Sequence, residues 1–349
     1  MNNPPYPPAA DDPDDDDDGD LWFLPGPPED EPAHLPPGPQ AEEITEAAVL
    51  GDWQRAEAGL AARLARVAGR LGALDDRVRR GPEGWRHRLA LIEAAELSWF
   101  SGDRLTADRL ALWIALRLSG VQEDAAALAR VGWAVRRLTG GPGPDTGLSG
   151  FLGRHDPTHE ADDPYGDPFT GRADSWQVLM QSGGALHPIT RACMGFHLWA
   201  LAGLGQQGDR LEAAVTAARI AAGDGEGAVF APLAMGGAGG LRAGGAPPVR
   251  LARWLEGMES ALLTAMRHLD QIEDWSVHAA TVMAPLSGRT PALLRSALTE
   301  WPLLSAPMAE ALTGASRAAV QRNLTWMEGR GLIREVTGQG RFRMWRAAV

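Results

Sequence analysis

The 349-residue sequence carries a formal net charge of −12, contains one cysteine and has no lysine, so its 33 basic side chains are all arginine. A single cysteine excludes an internal disulfide and a cysteine-based metal site, which predicts a reducing compartment, the cytoplasm. No apolar run approaches the ~20 residues that span a bilayer, and the acidic, proline-rich start is unlike a signal peptide, so no membrane segment is expected.

Residues 1–46 form an acidic tail with fourteen acidic residues and no arginine. Such a composition buries too little apolar surface to offset the entropy of ordering, which predicts disorder. Within the tail, Leu21–Pro27 is an apolar island. It either docks on its own domain or binds a protein partner as a short linear motif. A third hypothesis is that the acidic run covers a basic DNA-binding surface and suppresses nonspecific binding.

The body, residues 47–288, has a net charge of −3 and repeats apolar residues at helical spacing. A loop or insertion interrupts it at about 140–172. The last body helix carries a long apolar face, which predicts a central core helix or a dimer contact. The first predicted helix runs from Trp53 past Leu74 and ends before Gly81. The other predicted helices are Arg88–Phe100, Leu105–Leu118, a helix capped by Asp124, Ser175–Gln181, Ile189–Leu204, Asp209–Ala222 and Val249–Trp275.

Three features of the body could be mistaken for functional sites. The glycine-rich segment 235–245 lacks the Lys-Ser/Thr ending of a phosphate loop and follows no strand, so a flexible or tightly packed turn is predicted. Cys193 and His197 lie one helical turn apart, and a buried structural pair is favoured over a thiolate and its base. No metal or cofactor is predicted. The polar residues of the 140–172 loop are expected to be solvated and not to bind metal: His155, Asp156, His159, Glu160, Asp162 and Asp163.

Residues 289–349, here called the C-terminal module, are basic in an acidic chain, with nine arginines against four glutamates. A net charge of +5 is the electrostatic footprint expected of a phosphate-binding surface. The predicted order is a helix over Pro291–Leu298, a helix over Ala306–Leu312 capped by Ser305, a turn at 313–315, and a third helix capped by Ser316. The second helix is predicted to bury Met308, Ala309 and Leu312.

The third helix of the module has two distinct faces. Its apolar stripe is Val320, Leu324 and Met327, and a polar set points away from that stripe. Side chains of this kind reach base edges or phosphates when a helix enters the major groove. The polar set is Arg317, Gln321, Arg322 and Thr325.

A two-stranded wing follows the third helix. Strand Leu332–Val336 is followed by a turn and the return strand Arg341–Arg346. Alternation predicts Phe342 and Met344 on one face and Arg341, Arg343 and Trp345 on the other. The cations of the wing, Arg341, Arg343 and Arg346, would hold the DNA backbone or the minor groove. The sequence therefore predicts a winged helix-turn-helix.

The module, from Leu293 through the Ser316–Leu324 helix to Arg346, resembles the C-terminal domain of an uncharacterised bacterial helix-turn-helix family that is often plasmid-borne. It is also similar to the winged helix that ends many Fic-domain proteins. Fic proteins begin their active loop with His-Pro, and His187-Pro188 before a helix is similar. The Asp-Gly-Asn-Gly-Arg nest that holds nucleotide phosphates in that family is absent, so no transferase activity is expected. A helix-capping role is favoured for His187.

The fold predicted is therefore mainly α, with a helical body, the winged helix-turn-helix and a disordered acidic tail. The predicted function is binding of double-stranded DNA by a nucleoid-associated transcriptional regulator, as a homodimer. The alternative is a structural or interaction protein whose winged helix binds protein partners. A Fic-like nucleotidyl transferase is a distant third.

Overall fold

A computed structural model describes residues 46–116, 124–154, 168–205, 210–242, 244–338 and 342–349. The predicted tail before residue 46, the Leu21–Pro27 island and the polar residues 155–163 lie outside these ranges. The described residues all belong to one unit, so the body and the C-terminal module pack together. Among the described helices, none has both the length and the apolar character needed to cross a membrane.

The structure is mainly helical, as predicted. The strands are β1 (Leu304–Ser305), β2 (Ile333–Glu335) and β3 (Met344–Ala347). In the described ranges the α-helices are α1 (Glu46–Gly59), α2 (Ala61–Arg80), α3 (Gly84–Ser101), α4 (Ala107–Leu116), α5 (Ala125–Thr139), α6 (Leu148–Leu152), α7 (Pro168–Ser182), α8 (Pro188–Leu198), α9 (Leu211–Ala222), α10 (Pro247–Val282), α11 (Thr290–Glu300), α12 (Ala306–Thr313) and α13 (Arg317–Gly329).

The predicted first helix is broken in two at Leu60, where φ is −115° and ψ is 13°. The preceding Gly59 ends α1, and glycine is a poor helix former because its backbone loses more entropy on ordering. Trp53 on α1 and Leu64 on α2 are both buried. The break therefore lets two separate helices contribute to one core.

Two other predicted boundaries were wrong. The interval 140–172 contains α6 and the start of α7. Helix α6 was missed because its apolar face, which includes the buried Leu148 and Phe151, is too short to show a helical period. The helix predicted over Ile189–Leu204 ends at Leu198. Gly203 then adopts φ +65°, a left-handed conformation that suits glycine and closes the turn.

Helix α10 is the central element of the body. Its apolar stripe is buried within the chain, with Leu251, Leu255 and Leu269 at 0% exposure. Of the two predicted roles, the core helix is observed, and the dimer contact stays a prediction. Arginines of α2 pair with carboxylates of α10 along its length, in the pairs Arg63–Glu256, Arg66–Glu259, Arg70–Glu259, Arg77–Asp270 and Arg77–Glu273.

The C-terminal module combines α11, α12 and α13 with an antiparallel sheet in the order β1-β3-β2. Leu304 of β1 lies opposite Trp345, and Ile333 of β2 lies opposite Ala347, so β3 is the central strand. The three helices pack on one another and on this sheet. Their shared core buries Leu294, Leu298, Leu304, Val320, Leu324, Met327, Ile333 and Trp345.

Candidate functional site

Helix α13 is held in place from its start and along one face. The Ser316 side chain accepts a hydrogen bond from the Ala319 amide (3.4 Å), which caps the helix as predicted. The three residues of the predicted apolar stripe are 0% exposed: Val320, Leu324 and Met327. The preceding turn contains Gly314 at φ +62°, a conformation that a side chain would disfavour. The orientation of α13 is therefore fixed by the module core.

The opposite face of α13 is polar and open. Arg317, Arg322 and Thr325 are exposed, and Gln321 is half-buried beside them. The ion pairs in the described part of the module are those of Arg334, Arg343 and Arg346, so neither Arg317 nor Arg322 takes part in one. All four side chains that the sequence singled out on this helix share one continuous surface, and its two cations form no ion pair with any of the described residues.

The wing differs from the prediction. Trp345, expected on the outer face with the arginines, is 1% exposed, and Met344 beside it is 4% exposed. The two residues are neighbours in β3 and point to opposite faces, so both faces of this strand are covered there. The indole of Trp345 donates to Glu328 on α13 (3.4 Å). Phe342 has φ +58°, which breaks the period-two alternation and leaves its ring 71% exposed.

The wing arginines face carboxylates. Arg343 donates to Glu328 (3.0 Å) and lies over the Trp345 ring at 5.0 Å. Arg346 lies 3.5 Å from Asp108 of α4, so its charge is directed toward the body. Arg341 lies outside the described residues. The four α13 residues therefore share one face. Arg343 and Arg346 differ from them because each forms an ion pair within the chain.

The second helix of the module also departs from its predicted face. Ala309 is buried, but Met308 is only partly buried and Leu312 is 47% exposed. Thr313 is buried in place of Leu312, because its hydroxyl donates to the Ala309 carbonyl (2.6 Å) and accepts from the Ala315 amide (3.2 Å). This local bonding ends α12 and shapes the turn that leads to α13.

Two body residues that no sequence pattern singled out anchor the module. Arg88 of α3 donates to three carbonyls at the end of α11, those of Leu298 (3.0 Å), Thr299 (3.3 Å) and Trp301 (2.7 Å). Burial, and to a smaller extent the nearby charge of Arg346, lowers the pKa of Arg88 to about 10. Arg88 therefore remains protonated at neutral pH. The indole of Trp275 on α10 donates to the Leu332 carbonyl (2.8 Å).

The His-Pro of the body caps a helix, as favoured. The Nδ1 atom of His187 accepts from the Ile189 amide (3.2 Å), and Pro188 begins α8. The His187 amide donates to Glu57 (3.0 Å). Burial lowers the pKa of His187, opposed by the charge of Glu57. These two residues also line an open, largely apolar cavity of about 330 Å³ between α1, α2 and the start of α8.

Cys193 and His197 are both buried in the body core. Burial raises the pKa of the Cys193 thiol well above its ordinary value. Burial and the charges of nearby arginines lower the pKa of His197 to about 4. Both groups are therefore neutral at pH 7, which disfavours an activated thiolate. Within the described ranges, no group of three or more His, Cys, Asp or Glu side chains is arranged to hold a metal ion.

No protein-family model matches the chain, and no curated protein is significantly similar to it.

Proposed function

We propose that this protein binds double-stranded DNA as a transcriptional regulator, and that its C-terminal module is a winged helix-turn-helix. The order α11-β1-α12-α13-β2-β3 with the sheet order β1-β3-β2 supports that architecture. So does the tight glycine-containing turn between α12 and α13, which is typical of helix-turn-helix pairs. Helix α13 would be the recognition helix.

One observation carries the proposal. Helix α13 presents two arginines that pair with none of the described carboxylates, together with a glutamine and a threonine, on one open face, while its other face is buried in the core. Arginine recognises guanine or phosphate through its planar fork, and glutamine suits the adenine edge. An unpaired cation also releases counterions when it meets a phosphate, which lowers the free energy of binding.

The wing has a narrower role in this proposal than the sequence suggested. Arg343 is held between Glu328 and Trp345, so it positions the wing against α13. For Arg346 to contact DNA it would have to leave Asp108. The predicted contacts of Arg343 and Arg346 are therefore secondary in this proposal, and that of Arg341 stays a prediction. The α13 residues Arg317, Gln321, Arg322 and Thr325 carry recognition. The homodimer also stays a prediction.

A protein partner is the second candidate function. Leu312 on α12 and Phe342 in the wing are exposed by 47% and 71%. Exposed apolar side chains on a small module favour protein contact, because they gain more from burial against another protein than against DNA. This candidate shares the winged-helix architecture and differs in its ligand.

The test measures binding of the full chain to a genomic fragment library over a salt series. We expect enrichment of one sequence by the wild type. In Arg317→Ala/Arg322→Ala we expect a loss of about 1–3 kcal/mol for each base interaction that the substitution removes. If an arginine binds phosphate instead, the salt slope falls by about 0.9 for each phosphate that is no longer neutralised.

The control is Arg136→Ala/Arg267→Ala, which removes two exposed arginines from α5 and α10 and changes the net charge equally. It should bind DNA like the wild type. Equal weakening in both double variants would mean that only net charge matters, and would contradict base recognition by α13. Absence of binding by the wild type to every fragment, with a protein captured through Leu312 and Phe342, would favour the second candidate.

A further inference from the structure

The glycine-rich segment of the body forms one wall of a cavity of about 320 Å³, and α10 forms the other. The segment includes a 3-10 turn at Ala238–Leu241 that packs on α10. A volume of this size lies at the lower end of the range for small-molecule sites. The lining residues are Gly236, Gly237, Gly239, Gly240, Arg242, Arg253, Glu256, Gly257 and Ser260.

The glycines bring bare backbone to the cavity. A Cβ atom on Gly257 would lie 2.6 Å from the Gly240 Cα atom, so the two segments touch only because both residues lack side chains. Gly236 and Gly237 have φ of +82° and +121°, conformations that other residues rarely adopt. The wall is also held at its start, where the Glu93 carboxylate accepts the amides of residues 233–235. The cavity is thus a fixed feature of the fold.

The side chains that line the cavity carry more positive than negative charge. The side chains of Arg242 and Arg253 form no ion pair or hydrogen bond within the described part of the chain. The one carboxylate of the lining, Glu256, lies 3.7 Å from Arg63 outside the lining set. This contrasts with the α2 arginines, which are all paired with carboxylates. The charge of Arg253 also helps to lower the pKa of nearby His197.

We propose that this cavity binds a small phosphomonoester, of the size of a sugar phosphate or nucleoside monophosphate. Two guanidinium groups recognise a phosphate by charge-assisted, bidentate hydrogen bonds. The Ser260 hydroxyl adds a donor, and Glu256 at the edge accepts from a ligand hydroxyl. The bare glycine backbone lets the ligand approach closely. The site is separate from α13, so it would act as an effector site on the body.

The experiment is isothermal titration of the full chain with AMP, ribose 5-phosphate and inorganic phosphate at constant ionic strength. We expect saturable binding of at least one ester, weakened tenfold or more in Arg253→Gln and in Arg242→Gln, with unchanged melting temperatures. The control Arg267→Gln removes an exposed arginine from the same helix outside the cavity and should bind like the wild type.

Three results would overturn the proposal: no binding of either ester, binding unaffected by both cavity variants, or inorganic phosphate binding as tightly as the esters. None of them bears on DNA binding, because the titration contains no DNA and the variants leave α13 intact. The two proposals therefore fail or stand independently.

Discussion

Glu93 is an ionisable residue fully buried in the body. It is 0% exposed, and its carboxylate accepts the amides of Leu233 (2.8 Å), Ala234 (2.9 Å) and Met235 (3.1 Å). Burial raises the pKa of Glu93 to about 7, and the three amide donors limit the rise. The Glu93 carboxylate thus holds the glycine-rich wall of the cavity in place. Burying its negative charge costs desolvation free energy, and this cost depends on pH because it applies only to the ionised form.

A pH dependence of stability follows from Glu93. An acid whose pKa is raised on folding from 4.5 to about 7 contributes stability that is complete below pH 4.5 and is lost as the pH rises through about 7. We expect the melting temperature of the wild type to fall between pH 5 and pH 8 by more than that of Glu93→Gln. Calorimetry at both pH values measures this, with exposed Glu226→Gln as the control that should follow the wild type. Parallel profiles for the wild type and Glu93→Gln would contradict it.

At the scale of elements, the contact between α10 and the 3-10 turn depends on two glycines. In Gly257→Ala the new Cβ atom would meet the Gly240 backbone at 2.6 Å, and backbone cannot rotate away as a side chain would. We expect a loss of about 1–3 kcal/mol in the free energy of unfolding, the usual cost of overpacking.

The control is Gly72→Ala on α2, where a Cβ atom meets nothing within 4 Å. Alanine is the better helix former, so this variant should be unchanged or more stable by up to about 1 kcal/mol. Urea denaturation of both proteins compares them. Equal stability of the two alanine variants would show that α10 can move away from the turn.

Elements with a long, regular apolar period were predictable from the sequence, and each exception has a physical cause. The stripe of α13 and the caps at Asp124, Ser305 and Ser316 are confirmed, because each depends on residues within one or two turns. The break at Leu60 and the inward turn of Trp345 were missed. The break follows Gly59, a poor helix former that an apolar period does not register, whereas the burial of Trp345 depends on pairing with β1, about 40 residues away in sequence.

At the scale of the whole molecule, Arg88 links the body to the C-terminal module. No sequence pattern predicts it, because its three acceptor carbonyls lie more than 200 residues away, at the end of α11. The α13 face could be predicted because one helix carries it, whereas the two arginines of the glycine cavity are brought together only by the fold. Sites built on one element are visible in a sequence, and sites built between elements are not.

Removal of the Arg88 side chain should loosen the module more than the body. Hydrogen bonds from a charged donor contribute about 1.5–3 kcal/mol, so Arg88→Ala should lower the melting temperature. Amide hydrogen exchange should become faster in α11 and α13, whereas exchange in α5 should stay as in the wild type. The control is Arg86→Ala on the same helix. The Arg86 side chain donates to carbonyls of the body, those of residues 226 and 227, and not to the module. Uniform acceleration across the chain in Arg88→Ala would contradict this link.

Helix α10 runs without interruption for 36 residues, from the glycine cavity to the module. Each residue added to an α-helix advances it by about 1.5 Å and turns everything beyond it by about 100°. A one-residue insertion between Arg253 and Trp275 would therefore swing Trp275 away from the Leu332 carbonyl and expose part of the buried stripe. Divergent versions of this chain should consequently keep α10 at a constant length and differ in length at the turns between helices.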